Sequence, residues 1–217
     1  MSLFMRNISW LVYVLLAATM LPGCAIKQVH STADHADFSL DKNDLETYGL
    51  AFITPSTVTG QEEDKQTLAF AFANVMQESR PDIRLVTLPE TISAINVADL
   101  TADYMRMYVD YRDTGVFKRD LLKKVGEITG TRYLAQLKLS DFKQNSKSRF
   151  TLFGLRLMQT KEANIRMFFQ IWDSTDGTIA WEGTEEMSYS WDTGSENPVT
   201  FRTIVEKTAE NLITLLP

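Results

Sequence analysis

An α+β fold is predicted by three features of this sequence. Residues 48–88 run strand, helix, strand; the apolar period changes to two after Arg132; and helical spacing returns from Phe201 to Leu215. Together they give a strand-helix-strand start, further helices, an antiparallel meander of about four strands, and a C-terminal helix covering the sheet.

The first strand is Tyr48-Gly-Leu-Ala-Phe-Ile-Thr54, a short apolar run closed by Pro55. Glu62, Glu63 and Asp64 place negative charge where a helix N-terminus favours it, and Leu68, Phe72, Val75 and Met76 recur at helical spacing as its buried face. Arg80-Pro81 ends that helix, and Ile83 to Leu88 is a second apolar strand stopped by Pro89. A strand, a helix and a strand within this span imply a crossover with a right-handed connection.

Residues 89–130 are helical in pieces. Pro89 and Glu90 open one carrying Ile92 and Ile95; Asp99 or Thr101 caps another, whose Tyr104, Met107, Tyr108 and Tyr111 make a stripe ending at Gly115. In the third piece Leu121, Leu122, Val125 and Ile128 form a stripe, Lys118, Arg119, Lys123 and Lys124 make a solvated basic face, and Gly130 occupies the C-terminal cap.

From Tyr133 the pattern is that of strands. Tyr133, Ala135, Leu137 and Leu139 alternate with Gln136, Lys138 and Ser140; a polar loop is expected over Gln144–Ser148, a second strand over Phe150–Gln159, and a third through Ile165, Met167, Phe169 and Ile171. Asp173-Ser-Thr-Asp-Gly177 is a hairpin turn leading into Ile179, Trp181, Glu185, Met187 and Tyr189, with a loop expected from Asp192 to Pro198. Phe201, Ile204, Val205, Thr208, Leu212 and Leu215 supply the buried stripe of the closing helix.

Upstream of the fold lies an address. Arg6 precedes an apolar run from Ile8 to Met20 that ends in Leu21-Pro22-Gly23-Cys24. The run to Pro22 is about 15 residues, short of the roughly 20 that span a bilayer, and Pro22-Gly23 stops a helix. Leu21, Gly23 and Cys24 resemble the lipobox of bacterial lipoproteins, although Pro22 is not the commonest residue in its slot. The resemblance implies a signal peptide over 1–23 and a diacylglyceryl thioether and an amide-linked acyl chain on Cys24, which together anchor firmly. Ala25, rather than Asp, follows the Cys, which in that family implies the outer membrane, on its periplasmic face. Cys24 is also the single cysteine of the 217 residues, so no internal disulfide can form.

Residues 24–46 read as the lipidated Cys and a flexible tether, and 47–217 as one periplasmic domain. Some 20 flexible residues would span roughly 25 Å. His30 and His35, with Asp34 and Asp37, fall on this tether and are read as solvated, because a flexible segment fixes no metal geometry. The chain carries a net charge of −6 with no basic tail, which excludes nucleic acid as the expected partner.

The order of elements, with Glu127-Ile-Thr-Gly-Thr-Arg-Tyr-Leu-Ala-Gln-Leu-Lys138 and Ile171-Trp-Asp-Ser-Thr-Asp-Gly-Thr-Ile-Ala-Trp181, resembles the periplasmic domains related to the curli-secretion protein CsgG, the penicillin-binding-protein activator LpoB and the N-terminal domain of TolB. That resemblance implies either a binding and assembly module or, as the alternative, a subunit of an oligomeric secretion ring. The short connections expected at Gln144–Ser148 and Thr160–Glu162 speak against the long membrane hairpins of the ring type.

Catalysis has little to work with. Beyond the tether there is no His and no Cys, no Walker loop, no Gly-x-Gly-x-x-Gly and no Gly-x-Ser-x-Gly. Glu182 and Glu186 share a strand face and Glu185 takes the other, so a paired-carboxylate hydrolase would need the first two to meet a cleft. The expectation is a non-enzymatic envelope protein with no cofactor beyond the covalent lipid. Arg166, Phe168, Gln170 and Trp172, on one strand face, are the candidate partner-binding residues, since aromatics and Arg are enriched in protein interfaces.

Overall fold

The computed structural model describes residues 28–152, 155–192 and 200–217; the stretch read as a lipobox, Leu21 to Cys24, lies outside the described residues. Seven strands and six helices are described: β1 (Gln28–Asp37), α1 (Asp44–Tyr48), β2 (Leu50–Phe52), β3 (Ser56–Thr57), α2 (Glu62–Ser79), β4 (Leu85–Val86), α3 (Leu88–Val97), α4 (Thr101–Thr114), α5 (Arg119–Thr129), β5 (Tyr133–Leu152), β6 (Leu155–Asp173), β7 (Ile179–Asp192) and α6 (Phe201–Ile213). They build one mixed sheet in the order β1-β7-β6-β5-β2-β4, with β3 alongside β5. The crossover β2–α2–β4 brings two parallel strands together, as expected, and β2 also runs parallel to β5; the β5, β6, β7 and β1 ladders are antiparallel. The α+β class is the one the sequence predicts.

Two cores flank the sheet. On one face Phe72 and Met76 of α2 and Ile204, Val205 and Leu212 of α6 close over Phe169, Met167 and Trp181, with Phe169 edge-on to both Phe72 and Trp181. On the other face Met107 and Tyr111 of α4, Phe117, and Leu122 and Val125 of α5 cover Leu134 and Trp172 at the end where β2 and β5 are parallel. The tyrosine stripe is core, as its spacing implies, and Tyr104 Oη accepts the Thr54 backbone N–H at 2.9 Å. Both glycines expected as helix caps, Gly115 and Gly130, take the left-handed conformation with φ 73° and 66°.

The β6–β7 turn is fixed by charge. Asp173 is buried, and its Oδ2 accepts from Arg132 Nη2 at 2.7 Å and Nε at 2.9 Å, while Oδ1 accepts from the backbone and hydroxyl of Thr175. Burial works against the charged form, but these donors outweigh it and hold the Asp173 carboxyl below its ordinary range. Gly177, at φ 79°, closes the turn against Arg119.

Three expectations are corrected. Within the stretch 24–46 read as tether, residues 28–37 form β1, paired along its full length with β7, and Asp44 opens α1, whose last residue, Tyr48, is the one expected to start the first strand. Gln144–Ser148 is not a loop but part of β5, and Thr160–Glu162 lies inside β6, so the β5–β6 hairpin is one long ladder from Tyr133↔Asp173 to Leu152↔Leu155. These segments are arms of a long hairpin rather than short connections, and the ground for setting a ring subunit aside is lost. β4 spans two residues rather than Ile83–Leu88, because Leu88 already belongs to α3. The loop expected at Asp192–Pro198 falls almost wholly outside the described residues.

Candidate protein-binding face

The pleat sorts the candidate residues. Ile165, Met167, Phe169 and Ile171 of β6 point to the α2/α6 core, so Asn164, Arg166, Phe168, Gln170 and Trp172 share the opposite face. Among the described residues, helices cover that face only at its Trp172 end. Trp172 is buried edge-on against Phe117, with ring centres 5.2 Å apart, which removes it from any binding patch and makes it a core residue. Gln170 marks the border. Its Oε1 accepts from Trp172 Nε1 at 3.2 Å and from Tyr111 Oη at 3.3 Å, and its amide donates to Glu182.

Beyond Gln170 no described helix covers the sheet. Phe168 is half-buried with Lys138 Nζ 5.9 Å from its ring centre, and exposed Arg166 pairs with Glu186 at 2.6 Å. That ion pair is solvated on both sides and contributes at most about 1 kcal/mol, so it leaves the guanidinium available to another carboxylate. The result is a flat strip with one aromatic ring between two cations, bounded on β7 by Glu182, Thr184 and Glu186.

Glu182 and Glu186 do share this face, but four residues of strand separate them by about 13 Å, beyond the spacing of either glycosidase geometry. Each is engaged with its own partner on β6 rather than with the other. Glu185 is fully buried on the far face, where Ser31 Oγ at 2.5 Å and Asn211 Nδ2 at 2.7 Å donate to Oε1. Burial raises its pKa, against the two hydrogen bonds. His30 and His35 fall on opposite faces of β1, as residues five apart in a strand must; His35 stacks near Trp181, with ring centres 6.1 Å apart. The two imidazoles therefore do not converge on a metal.

A second surface went unread in the sequence. Between α2 and α3 lies a groove of about 580 Å³ lined by Ala69, Phe70, Ala73, Leu88, Pro89 and Ile92 among others, and Phe70 is 58% exposed. The available signal was Phe70 itself, a large aromatic two residues from both Leu68 and Phe72 and so off their helical stripe. Among the described residues no helix is long and apolar enough to cross a membrane.

No protein-family profile matches the chain, and no curated protein matches it by sequence. Solved structures overlap it partially. The PelC dodecamer of Paraburkholderia phytofirmans aligns with 88% of this chain and 94% of its own at 11% identity and a TM-score of 0.43. Lipoprotein GNA1162 of Neisseria meningitidis aligns with 77% of this chain and 98% of its own, at 12% identity and TM-score 0.39. The LpoB C-terminal domain of Salmonella enterica aligns with 64% of this chain and 81% of its own, at 15% identity and TM-score 0.33. Overlaps at these scores transfer no function to this chain.

Proposed function

We propose that this chain is a lipid-anchored protein of the outer membrane's periplasmic face that acts without catalysis, by docking another envelope protein on the uncovered half of its sheet. One observation carries the reading: the β6 face holding Arg166 and Phe168 is open, while the same strand's other face is sealed by α2 and α6. A half-buried ring flanked by Lys138 and Arg166 matches the aromatic and Arg enrichment of interface centres. Gln170 positions the floor of the patch rather than contacting the partner, and Trp172 is excluded from it.

The anchor follows from the lipobox reading: cleavage after Gly23 and acylation of Cys24. With β1 starting at Gln28, only residues 25–27 remain between the lipid and the sheet, a reach of about 10 Å. The domain is then held against the headgroups, which raises its effective concentration for partners in the same leaflet.

A photo-crosslinking residue in place of Phe168, in the full chain in living cells, is expected to give a discrete adduct, and one in place of exposed Lys207 on α6 to give none. Equal labelling at the two positions, or none at either, would sink the reading.

A further inference from the structure

The edge of β1, which no strand among the described residues pairs, is unlike a protected sheet edge. Sheet edges are ordinarily blunted by charged side chains, Lys above all, by Pro, by bulges or by short strands; of these β1 has only the two carboxylates Asp34 and Asp37. β1 has ten residues, Gln-Val-His-Ser-Thr-Ala-Asp-His-Ala-Asp, all exposed, unbulged and without Lys, Arg, Pro or Gly. The opposite edge, β4, is two residues long and offers no comparable template. A strand of this length seeking a partner of equal length therefore finds one in a second β1.

The backbone phase narrows how two such strands can meet. Phe38 N–H donates to Ala180 O at 3.0 Å, in register with Asp37↔Trp181, so the even-numbered residues bond to β7. Val29, Ser31, Ala33, His35 and Asp37 turn their main-chain groups outward, and of these the His35 N–H is held by Asp34 Oδ1 of its own strand at 2.8 Å. A two-fold pairing of these outward groups must be centred on a residue, not between residues. Of the longer such registers, those centred on Ser31, Thr32, Ala33 and Asp34, only the one centred on Thr32 sets His30 opposite Asp34, and it does so twice. The register centred on Asp34 instead sets the two Asp34 carboxylates against each other, which opposes pairing.

We propose that β1 is a self-association edge: two copies of this chain pair their β1 strands antiparallel, centred on Thr32, and continue one sheet across the dimer. Small side chains at Ser31, Thr32 and Ala33 let the backbones approach; on pairing, Asp34 exchanges the His35 N–H for His30 of the second copy, the freed N–H bonds across the strands, and the reciprocal His30–Asp34 pairs fix the register on the open face. The two Gln28 ends then stand about 27 Å apart, so both anchors can enter one leaflet with β1 lying along its surface. The pairing does not depend on the partner-binding reading, and it would give a partner two docking faces at once.

Cysteine scanning of the full chain in its native membrane tests it. Ser31→Cys, Thr32→Cys and Ala33→Cys are each oxidised with copper phenanthroline, and the crosslinked peptides are mapped. Position 32 sits on the two-fold in a non-hydrogen-bonded pair, where side chains approach most closely. Dimer joined through position 32 to itself is expected at about five times the yield at 31 or 33. Asp34→Lys, added to Thr32→Cys, replaces the carboxylate facing His30 in both pairs with a side chain that has no acceptor, and should lower that yield several-fold. Absence of a peptide joined at position 32, a maximum at 31 or 33, or indifference to Asp34→Lys would overturn the proposal. Mapping keeps any link through Cys24 separate, since that link would speak to acylation and not to the strand register.

Discussion

Glu185 is the residue whose chemistry is least at ease in this fold. Its side chain has no exposed surface; Oε1 holds Ser31 and Asn211, while Oε2 has no hydrogen-bond partner among the described residues. Burial favours the protonated form, so the folded protein binds this proton more tightly than the unfolded chain does. By linkage, the stability Glu185 contributes is full below the ordinary carboxyl range and is lost as pH rises through the raised folded value. Glu185→Gln keeps an acceptor for Ser31 and Asn211 and removes the buried charge. It is expected to match wild type near pH 4 and to exceed it by about 1 kcal/mol near pH 8, measured by urea unfolding. A gap that narrows as pH rises would show that Glu185 is not charged at a cost. The strand pattern assigned Glu185 correctly to the face opposite Glu182 and Glu186. That this face is sealed at Glu185 by Asn211 of α6 is a tertiary fact no local pattern carries.

At the level of elements, the longer helices α2 to α6 were the most legible, because their ends are written in side chains, whereas the five residues of α1 read as tether and strand. Thr87 and Glu90 form a reciprocal capping box at α3, with Thr87 N–H and Oγ1 both donating to Glu90 Oε2 at 2.7 Å, and Pro89 sits in the first turn. The Thr87 donors hold the Glu90 carboxyl below its ordinary range. Thr87→Ala should cost about 1 kcal/mol in thermal or urea unfolding; a change within error would mean that α3 is held by Leu88, Thr91 and Ile95 alone. The strands were legible only where one face is buried. Alternation of apolar and polar residues records half-burial rather than strand geometry as such. β1 is exposed on every residue and Gln144 and Asn145 of β5 are exposed too, so both segments look like tether or loop in one dimension. Their pairing partners, β7 and β6, supply what their own sequences omit. The candidate face was half legible for the same reason: period two placed Arg166, Phe168, Gln170 and Trp172 together, but not the helices that bury the last of them.

As a whole molecule, the described chain is a sheet with one sealed face, one half-open face and one edge that no described strand pairs, following directly on the segment read as a lipobox. The open half of the face and the bare edge are separate surfaces, so a partner can dock at Phe168 while β1 engages a second copy. On that account the protein in detergent is a dimer, and a closed ring of many subunits is not expected, because isologous pairing through β1 uses the same edge on both copies and leaves no second one to propagate. The placement of every one of these surfaces at the membrane rests on Cys24. Intact-mass spectrometry of the protein extracted from its native envelope is therefore the most direct test. The account predicts a chain beginning at Cys24 with a diacylglyceryl and an amide-linked acyl group, and Cys24→Ser lacking both. A chain retaining residues 1–23, or an unmodified Cys24, would contradict it.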